Sequence, residues 1–410
     1  MAREGAGPAP PGTNVGSGVP VRLDPPFLAS ARVLAAGELD TLFAALAARG
    51  YETLAPGVRD GVIRLVPASG AAELPAGMHD RQAPGSYALE DGGDGELFGY
   101  AVGPDSLKGQ LLPPHQSVLR ATPDEGGLRI EPAPTEAARV AVVGARPCEV
   151  AATTVLERVL IGGAYPDPGA AARRKALFVV ALECRRPATT CRCTSFGTGP
   201  GLEHGADLVM IELDPPPKRG GDPGAHRFLV RAQSPAGAEV LAALPTSEAT
   251  RRDADRRRDA LGAATRAIAA SSNPEVVARG LLGHIEAPGW EEIASRCLSC
   301  GNCTMVCPTC FCTEVRDRSD LSGTLERERR WSSCFEVGHS LLTSGPVRRS
   351  VAARYRQWAT HKLATWQTQF GTTGCVGCGR CVTWCPVGID LGAEAAALAG
   401  TGAASRRGTT

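Results

Sequence analysis

Aromatic residues are scarce in this 410-residue chain, where five Trp, five Tyr and nine Phe amount to 5% of the composition. Equally missing is an excess of one charge: Lys+Arg 44 stand against Asp+Glu 43. That balance argues against a nucleic-acid partner, which needs a basic face. The run "RRDADRRRD" at 251–259 mixes signs at helical spacing and reads as a solvated helix face. No segment approaches the ~20 uninterrupted apolar residues of a membrane helix, so no membrane partner is expected. The opening "MAREGAGPAPPGTNVGSGVP" lacks an apolar core of signal-peptide length. A cytoplasmic location is therefore expected. Histidine is thin as well: the seven copies are scattered singly and read as surface or core residues rather than ligands. There is no Ser–His–Asp grouping and no paired-carboxylate motif, so acid–base or nucleophilic catalysis has no visible carrier.

What the chain does have is cysteine, fifteen in all. Without an export signal, such a count argues for metal rather than disulfides. Twelve of the fifteen fall in groups with metal-ligand spacing. "CLSCGNCTMVCP" begins at Cys297 and "CVGCGRCVTWCP" at Cys375, both reading Cys-x2-Cys-x2-Cys-x3-Cys-Pro. The first three cysteines of such a loop converge on one iron–sulfur cubane, while the fourth serves the other cluster in two-cluster ferredoxins. The spacing assigns Cys297, Cys300, Cys303 and Cys385 to one [4Fe-4S] cluster, and Cys375, Cys378, Cys381 and Cys307 to a second. Zinc is the competing metal, but a third closely spaced cysteine has no use at a tetrahedral site. Gly301 and Gly379 hold matching places where the backbone must come close to the cluster. The two copies stand much further apart than in small ferredoxins, with helical sequence between them, which resembles the α-helical ferredoxin domain of multi-subunit redox enzymes.

The expected fold is α+β and multidomain. Residues 1–24 read as a disordered tail, 25–135 as a small mixed α/β region, and 136–285 as an α/β region with a short parallel sheet. Residues 286–400 read as an α-helical two-cluster ferredoxin domain, and 401–410 as a second tail. "ARVAVVG" (138–144), "KALFVVALEC" (175–184) and "DLVMIEL" (207–213) have the length and continuous apolarity of buried strands. "PCEVAATTVLERVL" reads as a helix with Pro147 in its first turn. "HRFLVRA" (226–232) adds an expected edge strand. Strand, helix, strand implies a right-handed parallel crossover, which brings the strands' C-terminal ends to one edge of the sheet. Cys148 follows the first of these strands, and Cys184, Cys191 and Cys193 follow the second, so four thiols meet there by topology. A third [4Fe-4S] cluster is the favoured occupant, with structural zinc or free thiols left open. Cys310, Cys312 and Cys334 receive no assignment beyond packing thiols or alternative ligands. On the stretch 347–370, Tyr355, Trp358, Lys362, Trp366 and Phe370 share one helix face and read as core.

Several stretches in fixed order resemble a known family: "SLKGQLLPP" (106–114), "GARPCEVAA" (144–152), "CRCTSFGTGP" (191–200), the two cysteine motifs, "RRWSSCF" (329–335) and "RYRQW…HK" (354–362). The chain resembles the beta subunits of cytoplasmic sulfhydrogenases, the NAD(P)-linked [NiFe] hydrogenases, and the corresponding iron–sulfur subunit of anaerobic sulfite reductase. That resemblance implies an electron-transfer subunit between a flavin-bearing, NAD(P)H-reactive partner and a catalytic partner, either a [NiFe] hydrogenase or a sulfite reductase. Arg192 departs from the family, which often has an aromatic there. The competing readings are a stand-alone reductase holding its own flavin and a cluster-based redox sensor or scaffold.

Overall fold

The computed structural model describes residues 30–133, 136–216 and 226–400, so the tails expected at 1–24 and 401–410 lie outside it. An eight-stranded sheet is built on the three apolar runs, which become β8 (Val140–Ala145), β9 (Leu177–Leu182) and β10 (Leu208–Leu213). They are joined by β1 (Ala31–Ala35), β2 (Glu52–Arg59), β3 (Val62–Pro67), β11 (Arg227–Ala232) and β12 (Ser247–Glu248), in the order β12-β1-β11-β10-β9-β8-β2-β3. β2, β8, β9 and β10 run parallel, and antiparallel strands flank them on both sides. Every residue of β9 and β10 is buried, as expected where layers cover both faces of a parallel sheet. The helix Pro147–Leu160 follows β8 directly, with Pro147 at its start and the Arg146 amide donating 2.8 Å to Glu149.

Two features differ from the sequence reading in this half. β11 is interior rather than an edge, because β1 pairs with its outer side. The segment read as a separate region, 25–135, also supplies β2 and β3 to the same sheet. In addition, "RRDADRRRD" lies on the helix Arg251–Ala267, but its face is only partly solvated. Asp253 and Arg257 point inward, and the Arg257 guanidinium grips Glu183 at 2.7 and 2.5 Å.

In the C-terminal part, the helices Pro274–Gly283, Gly289–Arg296, Val351–Thr360 and Leu391–Leu398 share a core with Trp290, Phe335, Tyr355 and Trp358. The region is not helical throughout. Its residues 313–331 form a hairpin of β13 (Thr313–Ser319) and β14 (Leu325–Trp331), which joins β6 (His115–Asp124) and β7 (Gly127–Pro132) in a four-stranded sheet. Opposite charges meet across its strands, such as Arg327 and Asp317 at 2.7 Å, and such cross-strand pairs favour a hairpin. Between β5 (Ser86–Asp91), the partner of β4 (Met78–Ala83), and β6, "LKGQLLPP" holds one helical turn, Lys108–Leu111. Among the described residues no helix is long and apolar enough to cross a membrane.

Candidate metal centres

The two repeated motifs fold into matching loops. In each, the residue two places after the first cysteine donates its amide to that sulfur at 3.4 Å: Ser299 to Cys297, and Gly377 to Cys375. In each, a glycine then turns left-handed, Gly301 at φ +74° and Gly379 at φ +79°, a conformation that glycine adopts without strain. A side chain there would also collide: a Cβ on Gly379 would lie 2.6 Å from the Thr190 carbonyl oxygen.

Cys297, Cys300, Cys303 and Cys385 line one cavity of about 420 Å³, together with Phe335, Tyr355, Trp358 and Cys381. The cavity contains two buried donors, the Tyr355 hydroxyl and the Trp358 indole N–H, that find no partner in the protein. Burial, and then the thiols of Cys303 and Cys381, push the Tyr355 phenol well above its usual range, so it keeps its proton to donate. Orphaned buried donors are costly. Inorganic sulfides and thiolates among the four cysteines would accept from them.

Cys307 lies with the other loop. It is the electrostatic neighbour of Cys375, Cys378 and Cys381. The surroundings here are ionic. The buried Lys362 donates to the Cys307 sulfur at 3.2 Å, to Thr309 Oγ1 at 2.9 Å and to the Gly374 carbonyl at 3.0 Å. Burial opposes its charge, but the sulfurs of Cys307, Cys310 and Cys375 outweigh that and raise its pKa, so it is an ammonium. The charge of Arg380 favours the Cys378 thiolate, and its guanidinium makes a buried ion pair with Glu149 at 2.8 Å.

Cys148, Cys184, Cys191 and Cys193 also meet, lining a cavity of about 340 Å³ whose walls include Ala101, Val102 and Ile268. Cys148 comes from the first turn of its helix; the other three come from the loop after β9. The charge of the buried Arg146 favours the Cys184 thiolate, against the burial that raises its pKa. Burial pushes the Cys191 thiol up to about 12, so filling the cavity with metal must displace protons.

The spacing of these sulfurs bears on the metal. Four thiolates 2.3 Å from one zinc ion stand about 3.8 Å apart. Among the described residues, the sole group of three or more metal-ligating side chains with atoms within 4.8 Å of one another is His79, Asp94 and Glu96. Its Glu96 is already paired to Arg185 at 2.7 Å and to Arg186 at 2.5 Å. No three cysteine sulfurs among the described residues are drawn within 4.8 Å of one another, and the all-thiol lining and orphaned donors of the first set fit a cubane.

The three unassigned cysteines fall beside the second loop. Cys310 is an electrostatic neighbour of Cys307, and Cys312 of Cys334, where the base of the hairpin brings the latter two together. Sequence reading missed Lys362, Lys108 and Arg380 as parts of the site. Lys108 is buried, stacks over Trp331 at 3.7 Å and donates to the Met305 carbonyl at 2.8 Å. The available signal was a lysine on an aromatic helix face and an arginine inside a cysteine loop.

Residues 296–389 match the 4Fe-4S dicluster domain family. The chain is 31% identical over 249 residues to the sulfhydrogenase 2 subunit beta of Pyrococcus furiosus, an alignment covering 60% of this chain and 70% of that protein.

Proposed function

The chain belongs to the sulfhydrogenase beta-subunit family, and from that premise we propose that it is a three-station electron relay within a hydrogenase-type complex. Its role as an iron–sulfur electron-transfer subunit follows from the family and the dicluster domain. The first station would be held by Cys297, Cys300, Cys303 and Cys385, and the second by Cys375, Cys378, Cys381 and Cys307. Cys148, Cys184, Cys191 and Cys193 would hold the third. Once bound, [4Fe-4S] clusters supply one-electron transfer without rearranging bonds.

One observation carries the order of the stations. Two cysteines of the second loop each face a neighbouring cavity: Cys381 lines the first and Cys378 lines the third. The second set therefore stands between the other two, and its own ligands form the shared walls. The protein's part is to hold these sulfurs, supply hydrogen-bond donors to them and keep water out with Phe335, Trp358 and Ile268. The helical packing around the two loops supports a ferredoxin-like domain with an added hairpin. The complex we propose places a flavin-bearing, NAD(P)H-reactive partner at one end and a [NiFe] hydrogenase partner at the other. The name of the matched relative favours a hydrogenase over a sulfite reductase as the catalytic partner.

Iron and acid-labile sulfide on anaerobically purified protein test this reading. About twelve irons per chain support three cubanes. About eight would confine clusters to the two repeated loops and overturn the third station. No iron after reconstitution would overturn the relay.

A further inference from the structure

Lys362 occupies the one π-helical turn among the described residues, His361–Thr365, set between the helices Val351–Thr360 and Trp366–Phe370. Such single-turn insertions mark functional sites because they rotate a side chain off the regular helix face. Regular spacing would leave Lys362 among Trp358 and Trp366 in an aromatic core. Instead its ammonium, on a residue only 5% exposed, reaches the Cys307 sulfur at 3.2 Å. Thr309 and the Gly374 carbonyl fix its other two protons, at 2.9 and 3.0 Å. All three donors are thus committed to named acceptors, and one of them is a cysteine sulfur.

We propose that Lys362 is a positioning residue that raises the reduction potential of the second station above that of the first. This rests on the three-station reading above. The physical reason is charge. Four thiolates around a cubane give an anion that becomes one unit more negative on reduction. A fixed ammonium donating to one ligand sulfur therefore favours the reduced form, and burial weakens the screening of that attraction by water. Hydrogen bonds to the sulfurs and net charge are the levers that set such potentials. The first station's cavity presents the neutral donors Tyr355 and Trp358 instead. The cation consequently separates two stations whose cysteine loops are alike.

EPR-monitored redox titration of the full chain, alongside its iron content, tests the proposal on the unmodified protein, Lys362→Met and Lys362→Arg. In Lys362→Met we expect one signal to move to lower potential by at least a tenfold change in its one-electron equilibrium constant, about 59 mV. The remaining signals should hold their positions, and Lys362→Arg should restore most of the shift. Full iron with every potential unchanged in Lys362→Met would overturn the role of Lys362 while leaving the relay intact. Should Lys362→Met not accumulate folded protein, Thr309→Val, which removes one of the ammonium's anchors, should still lower the same potential; no movement there would likewise overturn the inference. Absence of iron from the unmodified protein would instead overturn the relay itself.

Discussion

The loops at Cys297 and Cys375 are copies of one motif, with the same amide-to-sulfur contact and the same left-handed glycine. Their surroundings are opposed. The first sits against Phe335, Tyr355 and Trp358 and opens toward the surface, where Cys300 is exposed and Leu298 is 63% exposed. The second lies inside the molecule, with Lys362 donating to the Cys307 sulfur and the charge of Arg380 favouring the Cys378 thiolate. A shared loop fixes the kind of cofactor, whereas the residues brought in from elsewhere fix how readily it takes an electron. An aromatic, surface-facing station suits exchange with a partner; a buried, cation-lined one suits holding charge between exchanges.

Removing the crossed ligands would break the comparison most severely. Cys385→Ser and Cys307→Ser should each lower the iron content by about four per chain, and each should abolish a different EPR signal. Cys385→Ser should abolish the same signal as Cys297→Ser; if it abolishes the signal lost in Cys375→Ser instead, the crossing of the fourth cysteines is wrong. The next largest effect is expected at Arg380, whose loss leaves Glu149 as a buried charge without its partner. Breaking such a pair costs about 3–5 kcal/mol, so Arg380→Met should fall sharply in chemical-denaturation midpoint. Arg257→Met breaks the buried pair with Glu183 and touches neither repeated loop, so it should cost stability comparably but keep the iron of the second station. Equal iron loss in both variants would mean that Arg380 supports the fold and not the station. The smallest effect sharpens the contrast between neutral and charged donors. Tyr355→Phe removes an uncharged hydroxyl from the first station, so its potential should fall by less than that of the second in Lys362→Met. A larger fall would mean that neutral donors, not the ammonium, dominate the tuning.

Much of this arrangement is legible in the residues. The three apolar runs name three of the parallel strands because near-continuous apolarity over strand length, broken only by Glu212, fits a strand covered on both faces. Pro147 names the start of its helix, and strand topology gathers Cys148 with Cys184, Cys191 and Cys193. What escapes are features decided by pairing at long range. β11 reads as an edge until Ala31–Ala35, short and unremarkable in sequence, pairs with it. Residues 313–331 show no alternation of apolar and polar positions, because their strands match charge with charge across the hairpin. A regular 3.6-residue repeat places Lys362 on a core face, and the π-helical turn that redirects it leaves no trace in a hydropathy pattern.

The join between the second loop and the loop after β9 is made largely on main-chain carbonyls. The Arg192 amide donates to the Gly377 carbonyl at 2.8 Å, Thr198 donates to the Val376 carbonyl at 2.6 Å, and Gly379 rests on the carbonyl of Thr190. Contacts anchored on main-chain carbonyls leave little room for drift. Substitutions of side chains around the two sites would retune each one separately, while these contacts would hold the distance between the loops. Such a join lets a lineage adjust the energetics of its relay without renegotiating its speed.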